Sequence, residues 1–114
     1  MAITNTIPEA EVLTVADLIT PAPSSITSRI LAKTSGGNVT LFAFDVGQGL
    51  SEHTAPFDAL VMVLDGQLKL TIGGKEMIAG GGTVVRMPAH VPHAVDAVAP
   101  ARMLLTMLRE PKTS

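Results

Sequence analysis

The side chains of this chain fit to move protons or bind a metal fall in two stretches. Gly47 to Gly66 (GQGLSEHTAPFDALVMVLDG) places His53 at the head of an alternating apolar run that closes on Asp65-Gly66. Gly82 to Ala97 (GTVVRMPAHVPHAVDA) places His93 behind a bend punctuated by Pro88 and Pro92, with His90 inside the bend. An imidazole takes or gives a proton near neutral pH and is the commonest metal ligand, so a site is expected where these stretches lie. The carboxylates nearest to them are Glu52 and Asp58. The chain has no cysteine, which excludes a thiolate metal site and a disulfide framework. No G-x-S-x-G elbow marks a nucleophile. Gly80-Gly81-Gly82 lacks the following Lys-Ser/Thr of a phosphate loop, so it reads as a corner, and no nucleotide cofactor is expected.

The elements that must position these histidines read as strands. Ile26 to Lys33 runs to the turn Ser35-Gly36-Gly37-Asn38. Val39 to Asp45 follows, with apolar or nearly apolar residues on both faces, as in a strand covered on each side. Ala59 to Leu64 and Gln67 to Ile72 flank Asp65-Gly66, a hairpin signal because both residues tolerate positive φ. Leu68, Leu70 and Ile72 alternate with Gln67, Lys69 and Thr71, so one face is set to a core. Lys75 to Ile78, Thr83 to Met87, His93 to Val98 and Arg102 to Arg109 complete the series. Met62, Met87, Met103 and Met107, with Phe42 and Phe44, read chiefly as core; Phe57 sits at the loop end where a mouth is expected. Many short strands with Gly/Pro corners and no long helical period imply an all-β sandwich or barrel.

Composition narrows the setting. At 114 residues the chain makes one domain. Residues 1–25 read as a leader that either packs on the barrel or a partner subunit or forms a partly ordered tail, residues 26–110 as the β domain, and residues 111–114 as a frayed tail. A formal net charge of −2 and the lack of a basic run argue against nucleic-acid binding. No apolar run reaches the roughly 18 residues of a membrane span, and the N-terminus lacks the charge and apolar block of a signal peptide. The disulfide-free chain fits a cytoplasmic setting. Apolar residues make up 46% and charged residues 16%, so an apolar face is expected to be covered by a second copy in a homodimer.

The two stretches resemble the paired signature motifs of the cupin superfamily, G-x5-H-x-H-x3,4-E-x6-G and G-x5-P-x-G-x2-H-x3-N. The resemblance covers roughly residues 38–109 and implies a double-stranded β-helix, the RmlC-like jelly-roll barrel. In metal-dependent members the two histidines and glutamate of the first motif and the histidine of the second hold one divalent ion. Gly47, His53 and Gly66 match the first motif, but Ala55 stands at its second histidine and Ala59 at its glutamate. Gly82, Pro88 and His93 match the second, with His90 at its glycine and Ala97 at its asparagine.

The resemblance therefore leaves His53 and His93 as the metal ligands, half of the usual set, for a weakly held divalent ion such as Zn, Mn, Fe or Ni. Two candidates for a third ligand stay open on spacing. Strand alternation points Asp58 away from the interior, although Pro56 can disturb it, and His90 lies in a bend where alternation does not apply. Glu52 alternates to the face opposite His53. Two function classes follow: a small-molecule-binding cupin whose pocket has a two-histidine polar end, and a metal-dependent enzyme of the dioxygenase, isomerase or lyase type. A third is a non-catalytic interaction or sensor module.

Overall fold

Apolar alternation and its interruptions account for nearly every element of the computed structural model, which describes residues 6–109. The proposed frayed tail at residues 111–114 lies outside the described residues, as do the first five residues of the leader. Among the described residues one short helix, α1 (Val15–Leu18), precedes nine strands. These are β1 (Ile26–Thr34), β2 (Gly37–Phe44), β3 (Gly49–His53), β4 (Asp58–Asp65), β5 (Gln67–Ile72), β6 (Lys75–Gly80), β7 (Thr83–Met87), β8 (His93–Ala97) and β9 (Ala101–Leu108). They form two antiparallel sheets, ordered β1-β2-β9-β4-β7 and β3-β8-β5-β6. The all-β double-stranded β-helix implied by the sequence is the observed fold.

The space between the sheets is filled by alternate residues of facing strands. Val61 and Val63 of β4, Leu68 and Leu70 of β5, Val95 of β8 and Met103 of β9 are all essentially fully buried there. Phe44 joins them, its ring stacked near Phe42 at a centroid separation of 6.0 Å. Met87 and Met103 are core residues, whereas Met62 points outward and is half-exposed. The opposite face of the five-stranded sheet carries a smaller cluster in which Ile19 packs with Leu41 and Ala43, with Leu18 and Leu104 against them. Two arginines tie the leader backbone down there. Arg102 donates from Nε to the Ile19 carbonyl at 3.0 Å while also bonding Asp65, and Arg29 donates to the Leu18 carbonyl. β2 is therefore apolar on both faces because both are covered.

Strand β3 has no counterpart among the strands expected from the sequence. Its five residues, GLSEH, are mostly exposed and offer no alternating pattern, so only its pairing to β8 reveals it as a strand. Elsewhere the expected strands differ from the observed ones by a residue or two at their ends, as fraying termini do.

The β4–β5 connection is not the hairpin that Asp65-Gly66 implies: β4 pairs with β7 and β9 while β5 pairs with β6 and β8, so the connection carries the chain from one sheet to the other. At its turn Gly66 has φ +80°, and a Cβ there would drive into the Pro100 carbonyl and Ala101. Gly66→Ala is expected to combine left-handed strain with this clash and lose about 2–4 kcal/mol of stability. Urea unfolding measures it; an unchanged midpoint would contradict this packing of the turn.

Candidate functional site

His53 and His93 come together because β3 contains one residue too many. Leu50 pairs with Val95 and His53 pairs with His93, so three steps along β3 match two along β8. Strict alternation would turn Leu50 and His53 to opposite faces. The register shift between them resets the phase, and His53 faces the same side as His93, beneath which Val95 and Ala97 enter the core. His93 is 5% exposed, while His53 is open to solvent, so the pair runs from the barrel core to its mouth.

The two rings meet edge to face, with centroids 4.4 Å apart and Nε2 atoms 3.1 Å apart. A head-on pair would separate the centroids by nearly two further ring radii, so the nitrogens are angled toward a common point. Each ring's other nitrogen is held by backbone. Nδ1 of His53 lies 2.8 Å from the Ser51 carbonyl, and Nδ1 of His93 lies 3.2 Å from the Val91 carbonyl. A carbonyl oxygen only accepts, so each Nδ1 contact is a hydrogen bond only with the proton on that nitrogen. With both rings neutral, both Nε2 atoms then carry lone pairs. Two lone pairs at hydrogen-bonding distance repel unless something electropositive sits where they converge.

The other candidates are placed elsewhere. Asp58 accepts a 2.8 Å hydrogen bond from the Ala89 amide and faces Arg86 at 3.9 Å, so its carboxylate ties the start of β4 to the bend after β7 and is not shared with the histidines. Glu52 is exposed on β3. His90 is exposed in the bend, where its backbone amide donates to the Ala55 carbonyl at 2.8 Å. Its φ of +65° explains why glycine is usual at this motif position: the backbone keeps the left-handed conformation although the residue is histidine. At the same end Arg109 lies over the Phe57 ring, 5.6 Å from its centroid. A cleft of about 190 Å³ opens between the β1–β2 hairpin and the end of β9, and neither histidine lines it.

This donor set does not fit a resident divalent centre. Structural and catalytic zinc sites draw on three or four protein ligands, and non-haem iron on two histidines and a carboxylate. Among the described residues no three His, Cys, Asp or Glu side chains converge on one point. At the glutamate position stands Ala59, 5% exposed in the core between Met87 on β7 and Met107 on β9. Two neutral nitrogens remain, and a dication at this barrel end would have no carboxylate partner inside.

Comparison with known proteins agrees with this architecture. A family model described as a cupin domain matches residues 40–107. A conserved protein of unknown function from Streptococcus pyogenes is 31% identical over 98% of both chains, with a TM-score of 0.89. A cupin superfamily protein from Desulfitobacterium hafniense is 27% identical over 96% of this chain and 100% of its own, with a TM-score of 0.86. A cupin 2 conserved barrel domain protein from Leptotrichia buccalis is 34% identical over 85% of this chain and 47% of its own, with a TM-score of 0.81. No curated protein matches.

Burial holds the His93 imidazole below its ordinary pKa; the Val91 carbonyl opposes this and the neighbouring His53 adds to it. The folded chain therefore resists protonation of His93 while the unfolded chain takes the proton near pH 6.5. Stability is expected to be full above that pH and to fall as the solution is acidified through the window below it. One proton limits the slope to about 1.4 kcal/mol per pH unit. Urea midpoints between pH 8 and 5 in the wild type and in His93→Leu measure it: the substitution should remove this component, and equal slopes would contradict it.

Proposed function

The chain belongs to the cupin family, and from that footing we propose that it binds a small molecule at the mouth of its barrel, anchored by His53 and His93. The observation that supports this reading is the pair of Nε2 lone pairs converging at 3.1 Å, one on a buried ring and one on an exposed ring. A few convergent polar atoms above an apolar interior are the usual polar end of a ligand site. The alanines at positions 55 and 59 leave that end without the charge a carboxylate would bring. In this reading a divalent ion is at most a loosely held visitor, and the protein acts in the cytoplasm.

A second reading, a metal-dependent enzyme of the dioxygenase, isomerase or lyase type, is favoured by the same 3.1 Å separation. Two nitrogens each about 2.0–2.1 Å from one ion stand at about that distance. The substrate would then have to complete the shell, since Asp58 is bonded to the Ala89 amide and His90 is exposed in the bend.

The homodimer belongs to this proposal too. Met62 of β4 and Val84 of β7 are register partners on the outer face of the five-stranded sheet, 43% and 61% exposed, beside the half-buried Leu60 and Leu104. An apolar strip of sheet, bordered by Arg86 opposite Leu60, suits a second copy of itself across a two-fold axis, continuing the patch that Leu18 and Ile19 already cover.

Two measurements test these statements. Dialysis against Zn, Mn, Fe and Ni, followed by desalting and metal analysis, should leave well under one ion per chain. One tightly held ion per chain, lost in the His53→Ala, His93→Ala double variant, would replace the first reading by the second. Light scattering after gel filtration should give a dimer for the wild type and a monomer for Met62→Lys combined with Val84→Lys; a wild-type monomer would remove the dimer.

A further inference from the structure

Resting on the small-molecule reading, we infer that the ligand's head group is a primary amine, a single atom able to donate a hydrogen bond to each of the two histidines. The inference comes from which ring atoms are already engaged. With Nδ1 of His53 and of His93 each donating to a backbone carbonyl, both rings offer only acceptors at the mouth. Those acceptors are angled to one side of the line that joins them. One donor atom carrying at least two hydrogens satisfies both, a hydroxyl satisfies one, and a carboxylate sets its own lone pairs against them.

The charges at this end of the barrel point the same way. Arg86 is placed against Asp58 and Arg109 lies over Phe57, so neither guanidinium is directed at the histidine pair. Glu52, exposed next to His53, adds negative charge at the rim. A water molecule can make the same two hydrogen bonds, so an amine has to displace it. The apolar body of the ligand, withdrawn from solvent against the mouth, supplies the difference.

Three probes with one body and different heads test this: butylammonium, 1-butanol and butyrate, titrated at pH 8 while the ring resonances of His53 and His93 are followed by NMR. Butylammonium should move both rings and bind at least about tenfold more tightly than butyrate, a difference of about 1.4 kcal/mol, with 1-butanol between them. In His53→Ala, which alters an exposed residue, the preference for the amine should fall to within about twofold of the alcohol, since one acceptor is gone. Butyrate binding at the pair as tightly as butylammonium would overturn the amine head and leave the small-molecule site standing. If none of the three moves either ring, the site itself falls with it.

Discussion

The extra residue in β3 between Leu50 and His53 is the constraint on which the site depends. Without it, Leu50 pairing with Val95 would send His53 outward, and the chain would have one inward histidine with nothing beside it. With it, an exposed strand of little apolar content delivers an imidazole to a core-facing partner. The backbone then finishes the arrangement, because the carbonyls of Ser51 and Val91, each two residues before its histidine, occupy both Nδ1 atoms. The bulge thus sets the register that brings the rings together, and the two carbonyls set their orientation. The neighbouring loops lock it in place: the Asp58 carboxylate and the Ala55 carbonyl take the amides of Ala89 and His90.

What the pair can do is decided as much by the residues that are missing. Ala59 lies inside the core where a carboxylate would compensate an ion, and it is flanked by methionines, which fill space without offering charge. A buried carboxylate left without a cation would cost several kcal/mol, so replacing it with alanine lets the barrel close stably with nothing bound. The same replacement leaves two nitrogen acceptors with no internal counter-charge. That favours an occupant arriving with its own hydrogens over one that needs a full coordination shell.

The sandwich was legible wherever alternation was strong. Asp65-Gly66 marks the turn between β4 and β5 but not its crossing from one sheet to the other, which depends on which strands pair, and the inward set of Leu68, Leu70 and Ile72 follows from spacing alone. Motif spacing also located His53 and His93. The strand β3 was not legible, because Gly49, Ser51, Glu52 and His53 carry no apolar period, and neither was its bulge, which is a property of pairing and not of composition. Without the bulge, alternation alone could not say that His53 faces His93 instead of solvent. The proton positions were also beyond the sequence, since they depend on carbonyls whose directions only the folded strands fix. His90 shows the converse: its left-handed φ was encoded in the motif's glycine, and the structure keeps that conformation with a different side chain.

The central claim is that both imidazoles are protonated at Nδ1 and present bare Nε2 atoms to each other. Nitrogen-15 NMR of the histidine rings at pH 8, on protein stripped of metal and small molecules, reads this directly. Nδ1–H and an unprotonated Nε2 are expected for both His53 and His93. An Nε2–H tautomer on either ring would give the pair an ordinary hydrogen bond of its own and overturn the arrangement.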